Sequence, residues 1–351
     1  ELAVVITAYE TILEQLGKVQ SHAQLLCAAN TNDSAIAKHH QSVREAGSEI
    51  GAALLFVELE LARLDQGHVE SLLDDAGLAR FSPWLRRVRA MAPYQLSDEI
   101  EKMIAERAPT GAGAWVRLFD ETTTAMRFAF QGTDVTEAEI LDALSSTDAA
   151  KRKEAGHSLS ATLKDHQRLL SLVMNTIAKD KLIEDGWRGF VRPVSSRNLA
   201  NDVDDNVVDA LVQAVNDRNV DLSHRYYSLK AGWMGKKQID WWDRNAPLPG
   251  DDDRHYEWGD AKQIVLDAFH GFDPEMAKIA LPFFEQNWID AAPRAGKTSG
   301  AFSHPVVPSA HPYILMNFAG KSRDVMTLAH EMGHGIHQVL AADQGYLMSD
   351  T

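Results

Sequence analysis

Two histidines four residues apart, with a glutamate directly after the first, carry the clearest chemistry in this sequence. They form the run His330-Glu331-Met332-Gly333-His334. Residues four apart in a helix lie on one face, so both imidazoles could bind one zinc ion at about 2.0–2.1 Å. Glu331 could take a proton from a water at the open position of the metal and later deliver it to a leaving amine. The motif therefore predicts two metal ligands, His330 and His334, and one general base, Glu331.

A simpler interpretation of the same residues is a helix with two structural histidines and a solvated glutamate. Gly333 and Gly335 weigh against that interpretation, because each costs about 1 kcal/mol relative to alanine inside a helix. Glycine at such positions indicates that something approaches the backbone closely. We therefore expect close contacts at Gly333 and Gly335.

The helix that must position the motif is visible in the surrounding pattern. Apolar residues recur at helical spacing and predict its buried face: Val325, Leu328, Met332, Ile336 and Val339. Ser322 or Asp324 could cap its first turn. The motif should therefore lie in the middle of one amphipathic helix.

A catalytic zinc ion normally has a third protein ligand, and this sequence offers no convincing one after His334. The metzincin pattern requires a glycine and a histidine where His337 and Leu340 stand, so that class is excluded. We interpret His337 as a packing or supporting residue. Asp343 is expected in the same helix or its exit turn, and Asp350 near the end of the sequence, neither as a ligand.

Composition limits the classes of protein that this chain can be. Its 351 residues and 38.9 kDa suit two or three domains or one large domain. A hydrophobic content of 45% with 24% charged residues excludes a wholly disordered chain. The single cysteine, Cys27, excludes a disulfide scaffold and a cysteine-rich zinc module.

Charge and hydropathy exclude two kinds of partner. The chain has 35 basic and 50 acidic residues, a net charge of −15, which argues against binding to nucleic acid. There is no run of about 18 apolar residues that could span a membrane, and no secretory signal at the start. A reducing cytoplasm is the default compartment.

Most of the chain has the periodicity of amphipathic helices, for example at Ile6, Leu13, Leu16, Val19 and Leu26. Thr136 and Glu139 form a predicted capping box, and residues 186–189 are predicted to form a loop. Between residues 295 and 320 glycine and proline are frequent, and residues 313–316 predict a short strand. The prediction is a mainly α, multi-helical fold with a small β-sheet insert before the motif helix.

Several segments together resemble the oligoendopeptidase F branch of the thimet-oligopeptidase-like zinc metallopeptidases. Residues 296–302, 311–318 and 323–338 follow the pattern of that branch in order, and the tryptophan-rich residues 239–243 also fit it. The resemblance covers residues 114–351, whereas earlier residues match only as generic helical sequence. It implies an oligopeptidase-like helical fold whose motif helix lies in a channel that admits short peptides and excludes folded proteins.

The resemblance also implies roles for individual residues. His330 and His334 would be zinc ligands, and Glu331 the general base, in a zinc-dependent endopeptidase acting on oligopeptides. Two segments would line the cleft and pair with substrate backbone, or would be structural: Ser299, Gly300, Ala301, Phe302, Tyr313, Ile314, Leu315, Met316 and Asn317. The family's third ligand, a glutamate, and its transition-state donors would lie beyond Thr351, so this chain by itself is expected to be inactive or weakly active.

The resemblance divides the chain into three predicted regions. They are an N-terminal helical region at 1–110, an oligopeptidase F-type helical domain at 111–204, and the first part of a zinc metallopeptidase catalytic domain at 205–351. Two alternatives stay open: a non-catalytic helical peptide-binding module, and a zinc hydrolase that acts on something other than peptides.

Overall fold

Helices dominate the chain, as its periodicity predicts. The computed structural model describes residues 1–73, 75–248 and 254–349. The mainly α fold with few strands is confirmed. None of the described helices is long and apolar enough to cross a membrane.

Local capping chemistry explains where several helices begin. At the predicted capping box, the Thr136 N–H donates to Glu139 Oε2 at 2.7 Å, and the Glu139 N–H donates to Thr136 Oγ1 at 3.4 Å. The Asp33 carboxylate accepts hydrogen bonds from the N–H groups of Ala35 and Ile36. These side chains satisfy donors that have no partner within their helix.

The chain groups into two units by its internal contacts: residues 1–113 with 254–351, and residues 114–253. The three predicted regions, 1–110, 111–204 and 205–351, stay a prediction. The first part of the first unit contains helices α1 (Leu2–Ala29), α2 (Ser34–Leu54), α3 (Phe56–Arg63), α4 (Gln66–Leu72), α5 (Ala76–Ala79), α6 (Ser82–Ala90) and α7 (Asp98–Arg107).

One hydrophobic core holds these N-terminal helices together. It is centred on Ile6 of α1, Phe81 and Trp84, which are at most 3% exposed. The predicted apolar stripe of α1 is only partly right, because Val19 and Leu26 are 53% and 38% exposed. Periodicity identifies a helix reliably, but which residues of a long helix are covered depends on the neighbours that reach it.

The second unit begins within helix α8 (Ala112–Ala125), whose first two residues belong to the first unit. It contains helices and one hairpin, in the order α8, β1 (Phe128–Phe130), β2 (Thr133–Val135), α9 (Glu137–Ala143), α10 (Ala149–Asp165), α11 (Gln167–Arg188), α12 (Ser195–Ala200), α13 (Asp205–Asn219) and α14 (Arg225–Trp233). The predicted loop at 186–189 is wrong. Helix α11 continues to Arg188, and only Gly189, with φ of 80°, ends it. Glycine adopts this left-handed conformation without a steric penalty, so it serves as the helix terminator.

A buried ion pair anchors the second unit. The Asp243 side chain is fully buried, and its Oδ1 accepts from Arg152 Nε at 3.0 Å and Nη2 at 2.8 Å. Arg152 also donates to the carbonyls of Ser146 and Thr147, and Lys236 bonds the other oxygen of Asp243. Although burial alone would raise it, the bonds from Lys236 and Arg152 hold the pKa of Asp243 below its usual value.

The rest of the first unit contains α15 (Trp258–Phe272), α16 (Pro274–Glu285), β3 (Ile289–Asp290), β4 (Phe302–His304), β5 (Tyr313–Leu315) and α17 (Ser322–Ala341). The three strands form one sheet in the order β3-β5-β4. Strand β5 pairs with β3 in parallel and with β4 antiparallel, in the register Ser303 opposite Ile314. The predicted small sheet before the motif helix is therefore confirmed, and β4 is an edge strand.

Candidate active site

Helix α17 carries the motif, with one face buried and the other open. Four of the predicted stripe residues are buried (Val325, Leu328, Met332 and Ile336), and Val339 is half-buried. The helix begins at Ser322, but neither predicted residue is its N-cap, which is Lys321. Asp324 instead reaches back and accepts from the N–H groups of Lys321 and Ala319.

His330 and His334 lie one turn apart on the open face of α17. Both side chains are exposed. Their ring centroids are 4.9 Å apart, and the ring planes are nearly perpendicular, at 87°. Two exposed imidazoles this close together, on a rigid helix, can supply two ligands to one metal ion.

Glu331 lies on the neighbouring face, which is buried. Its side chain is 8% exposed, in contrast to the histidines on either side. Helical spacing aligns Glu331 with Gly335 and Gln338, which are also buried. The Glu331 side chain therefore projects from the side of α17 that lies between the exposed histidines and strand β4.

Gly335 has the close contact that its position predicts, and Gly333 does not. A Cβ at Gly335 would lie 2.8 Å from two ring carbons of Phe283 in α16 and 3.6 Å from Ser303 Oγ in β4. At Gly333 a Cβ would meet no other described protein atom within 4 Å, so the expected close approach has no protein partner there. Gly335 thus lets the helix pack closely against the rest of the first unit.

Gln338 fixes the edge strand beside the motif helix. The Ser303 hydroxyl donates to Gln338 Oε1 at 2.9 Å, and Gln338 Nε2 donates to the Ser303 carbonyl at 3.4 Å. Gln338 is 8% exposed. A polar residue on the buried face of a helix needs such a partner. The signal in the sequence is the polar residue Gln338 close to the apolar stripe of the predicted helix, which sequence analysis missed.

The backbone of Ser303 faces away from the centre of the sheet. The N–H groups of Ile314 and Met316 donate to Trp288 and Asp290 on the β3 side. Because backbone groups alternate between the two sides of a strand, Tyr313 and Leu315 bond to β4 instead. Ser303 lies opposite Ile314, so its own N–H and C=O point away from β5, and the C=O accepts the hydrogen bond from Gln338.

The predicted substrate-binding residues fall into two structural groups. Ile314, Leu315 and Met316 are at most 3% exposed, so their side chains belong to the core. The others are half-buried or exposed: Ser299, Gly300, Ala301, Phe302, Tyr313 and Asn317. Asn317 has a structural contact, since its Nδ2 donates to the carbonyls of Thr298 and Gly300 at 3.0 and 3.1 Å.

A buried lysine holds the sheet and the preceding loop together. The Lys297 ammonium donates to the carbonyls of Asp290, Ala292 and Met316 at 2.9, 3.0 and 2.5 Å, and to Asp290 Oδ1 at 3.0 Å. Its side chain is 0% exposed. Burial lowers the pKa of Lys297 despite the neighbouring Asp290. In the sequence, Lys297 is part of the segment that resembles the family, but the sequence analysis assigned no role to this residue.

The structure supplies two candidate ligands at the motif and no complete set. In residues 1–73, 75–248 and 254–349, no three His, Cys, Asp or Glu side chains are grouped so that they could hold a metal ion. His337 is exposed, which does not support packing, and Asp343 lies in the 3₁₀ turn (Ala342–Gln344) after α17, as expected. Asp350 lies outside the described residues.

The known proteins that this chain resembles in sequence have related names. The chain is 23% identical over 344 residues to the oligopeptidase PepF of Bacillus subtilis, covering 95% of this chain and 50% of that protein. It is 24% identical over 337 residues to an oligoendopeptidase F homolog of Borreliella burgdorferi, covering 95% of this chain and 56% of that protein. The chain thus spans about half the length of these curated relatives.

Solved structures share the fold. The structure of PZ peptidase A with an inhibitor superposes with a TM-score of 0.77 at 16% identity, covering 97% of this chain and 58% of that one. Two family models match the sequence: Oligopeptidase F at residues 60–128, and Peptidase family M3 at residues 143–351. Since the second match covers more than half of the sequence, the chain belongs to peptidase family M3, as an oligoendopeptidase F-like member.

Proposed function

We propose that the protein to which this chain belongs is a zinc-dependent endopeptidase that hydrolyses short oligopeptides. The observation that carries the proposal is the pair of exposed imidazoles of His330 and His334 on one face of α17, with Glu331 between them in sequence. Membership in peptidase family M3 supports peptide-bond hydrolysis as the reaction.

His330 and His334 would hold the metal ion. The donor set fits zinc, which commonly binds imidazole nitrogen, and the open face of α17 leaves room for further ligands. When bound, the ion would polarise the scissile carbonyl and make a nearby water more acidic. The third ligand would come from outside the described residues.

Glu331 would move the proton. Its carboxylate takes a proton from the water whose oxygen attacks the carbonyl carbon of the scissile peptide. As the carbon–nitrogen bond breaks, Glu331 returns that proton to the amine nitrogen, so the carboxylate is regenerated. A rigid helix keeps the base within a turn of both histidines, which keeps the reacting groups in one geometry.

The edge strand β4 would position the substrate. Strand β5 is paired on both sides, so an added peptide strand cannot bind to it. At β4 the Ser303 N–H faces the open edge and could donate to a peptide carbonyl. We therefore restrict the proposed substrate contacts to residues 299–303. The buried residues of β5 would hold β4 in place. Backbone pairing would tolerate many sequences and several lengths.

Hydrolysis of a quenched fluorescent peptide of about ten residues by the complete protein tests the proposal. We expect activity that a chelator abolishes and added zinc restores. His330→Ala and His334→Ala should lose bound zinc, whereas the matched control His337→Ala, an exposed histidine on the same helix, should retain it. Hydrolysis that survives chelation would contradict the mechanism, and a zinc-free protein that binds but does not cleave peptides would favour the binding module.

A further inference from the structure

A cavity of about 780 Å³ lies in the first unit, beside the C-terminal part of α17. Its walls are mainly apolar and aromatic, and include Trp84, Trp288, Val307, Pro308 and Leu347. Pockets that bind small ligands commonly have volumes of about 300–1,000 Å³ and such walls. The space is ample for a large apolar side chain.

The loop that forms one wall is held rigidly. Residues 305–312 all line the cavity. The Val306 N–H donates to His304 Nδ1 at 3.0 Å, and the Ser309 N–H donates to Glu14 Oε1 of α1 at 3.0 Å. The His311 ring stacks on Trp288, with centroids 3.9 Å apart and planes at 5°. The wall is thus formed before any ligand arrives.

The backbone of Val306, in the wall of the cavity, is in an unusual conformation. Its φ is 61°, a conformation that β-branched residues rarely adopt. Such backbone strain persists where the surroundings enforce it, and it is frequent at ligand sites. Here the Val306 N–H is itself held by its hydrogen bond to His304 Nδ1.

The cavity continues the proposed path of the substrate. Pro305 directly follows the edge strand β4, and Gln338, which bonds Ser303 of that strand, also lines the cavity. Gln338 is seven residues after Glu331 in α17, which is about 10 Å along the helix. An extended peptide advances about 3.3 Å per residue. A peptide bound along β4 would therefore reach the cavity about three residues from the cleaved bond.

The charged residues at the cavity already have partners. Glu58 accepts a hydrogen bond from the Tyr9 hydroxyl at 2.9 Å, and Arg87 Nη2 donates to the Leu347 carbonyl at 3.1 Å. Most of the remaining lining residues are apolar or aromatic, and the polar ones are Ser309, His311, Gln338 and Ser349. The chemistry therefore favours an apolar side chain over a charged one.

We propose that this cavity is a specificity subsite, which takes an apolar or aromatic side chain of the peptide about three residues from the cleaved bond. The inference rests on the proposed peptidase function. It adds to backbone pairing at β4 a selective contact at one position of the substrate.

A positional scan of the substrate tests this subsite in the complete protein. Ten-residue peptides carry phenylalanine or alanine at one position at a time, and kcat/KM is measured for each. Because burying a phenylalanine side chain is worth about 10- to 100-fold, we expect that preference at one position about three residues from the cleavage site. Ala310→Trp, which fills the cavity from an exposed wall position, should reduce it to less than about 3-fold.

Ala295→Trp is the matched control, because Ala295 is another exposed loop alanine of the first unit that does not line the cavity. It should keep the full preference. A flat profile in the wild type, or a preference unchanged in Ala310→Trp, would overturn the subsite while the hydrolysis itself still supports the proposed function.

Binding gives a readout that does not need turnover. In the Glu331→Gln variant, calorimetry should show about 10-fold or tighter binding of the phenylalanine peptide over its alanine counterpart, and Ala310→Trp in the same background should abolish the difference. Equal binding of both peptides would overturn the inference even if no hydrolysis were measurable.

Discussion

Gly333→Ala and Gly335→Ala each add one methyl group to helix α17, two residues apart, and we expect them to affect stability in opposite directions. Both substitutions remove the intrinsic cost of glycine in a helix, about 1 kcal/mol. They differ in what the new methyl group meets. At Gly333 it meets nothing within 4 Å, whereas at Gly335 it meets the buried Phe283 ring at 2.8 Å.

The geometry sets the size of the difference. Ordinary contacts begin at 3.4 Å, so the Phe283 ring would have to move by about 0.6 Å. Phe283 is 0% exposed and packs against Ile314 and Met332, which leaves it little room. Overpacking of this kind costs about 1–3 kcal/mol. We therefore expect Gly333→Ala to stabilise the fold by about 1 kcal/mol, and Gly335→Ala to destabilise it by about 0–2 kcal/mol.

Urea denaturation of the two variants and the wild type, followed by circular dichroism, measures both effects under identical conditions. The informative quantity is the difference between the variants, about 1–3 kcal/mol, because the helix propensity contribution cancels. If Gly335→Ala proved as stabilising as Gly333→Ala, the close approach of α17 to Phe283 would be refuted as the reason for glycine there.

Three further predictions concern buried charge. Lys297→Met should lower the free energy of unfolding by about 3–5 kcal/mol, because several buried acceptors lose their donor, whereas the exposed Lys278→Met should change it little in the same urea titration. Asp243→Asn should cost about 3 kcal/mol or more in thermal denaturation, since Arg152, 3% exposed, keeps a buried charge without its carboxylate. Burial lowers the pKa of His304 below 6.5, so the unfolded chain binds a proton first as the pH falls. Wild-type stability should therefore drop below about pH 6.5, by up to about 1.4 kcal/mol per pH unit, and His304→Asn should flatten the profile between pH 7 and 5.

Patterns in the sequence predicted those features of the fold that depend on residues close together in the chain. The motif helix, its buried stripe and the capping box at Thr136 follow from spacing alone, since helix periodicity and capping act within one or two turns. The error at 186–189 has the same origin. Glycine at 186 suggested a break, yet α11 tolerates it and ends only at Gly189.

Contacts between distant residues were not predictable in this way. One local feature was also missed, the hairpin of β1 and β2: Gln131 and Gly132, both at positive φ, form its turn, but Gln-Gly is not one of the strong hairpin signals such as Asn-Gly or Asp-Gly. The pairing of Lys297 with carbonyls of residues 290, 292 and 316 depends on tertiary structure. So does the choice of β4, rather than β5, as the open edge.

The most direct test of the central claim is to measure zinc content and peptide turnover together in Glu331→Gln of the complete protein. If the histidines hold the ion and Glu331 moves the proton, the variant should retain its zinc, while kcat falls by about 100-fold or more. Wild-type turnover in Glu331→Gln, with the ion still bound, would contradict the account.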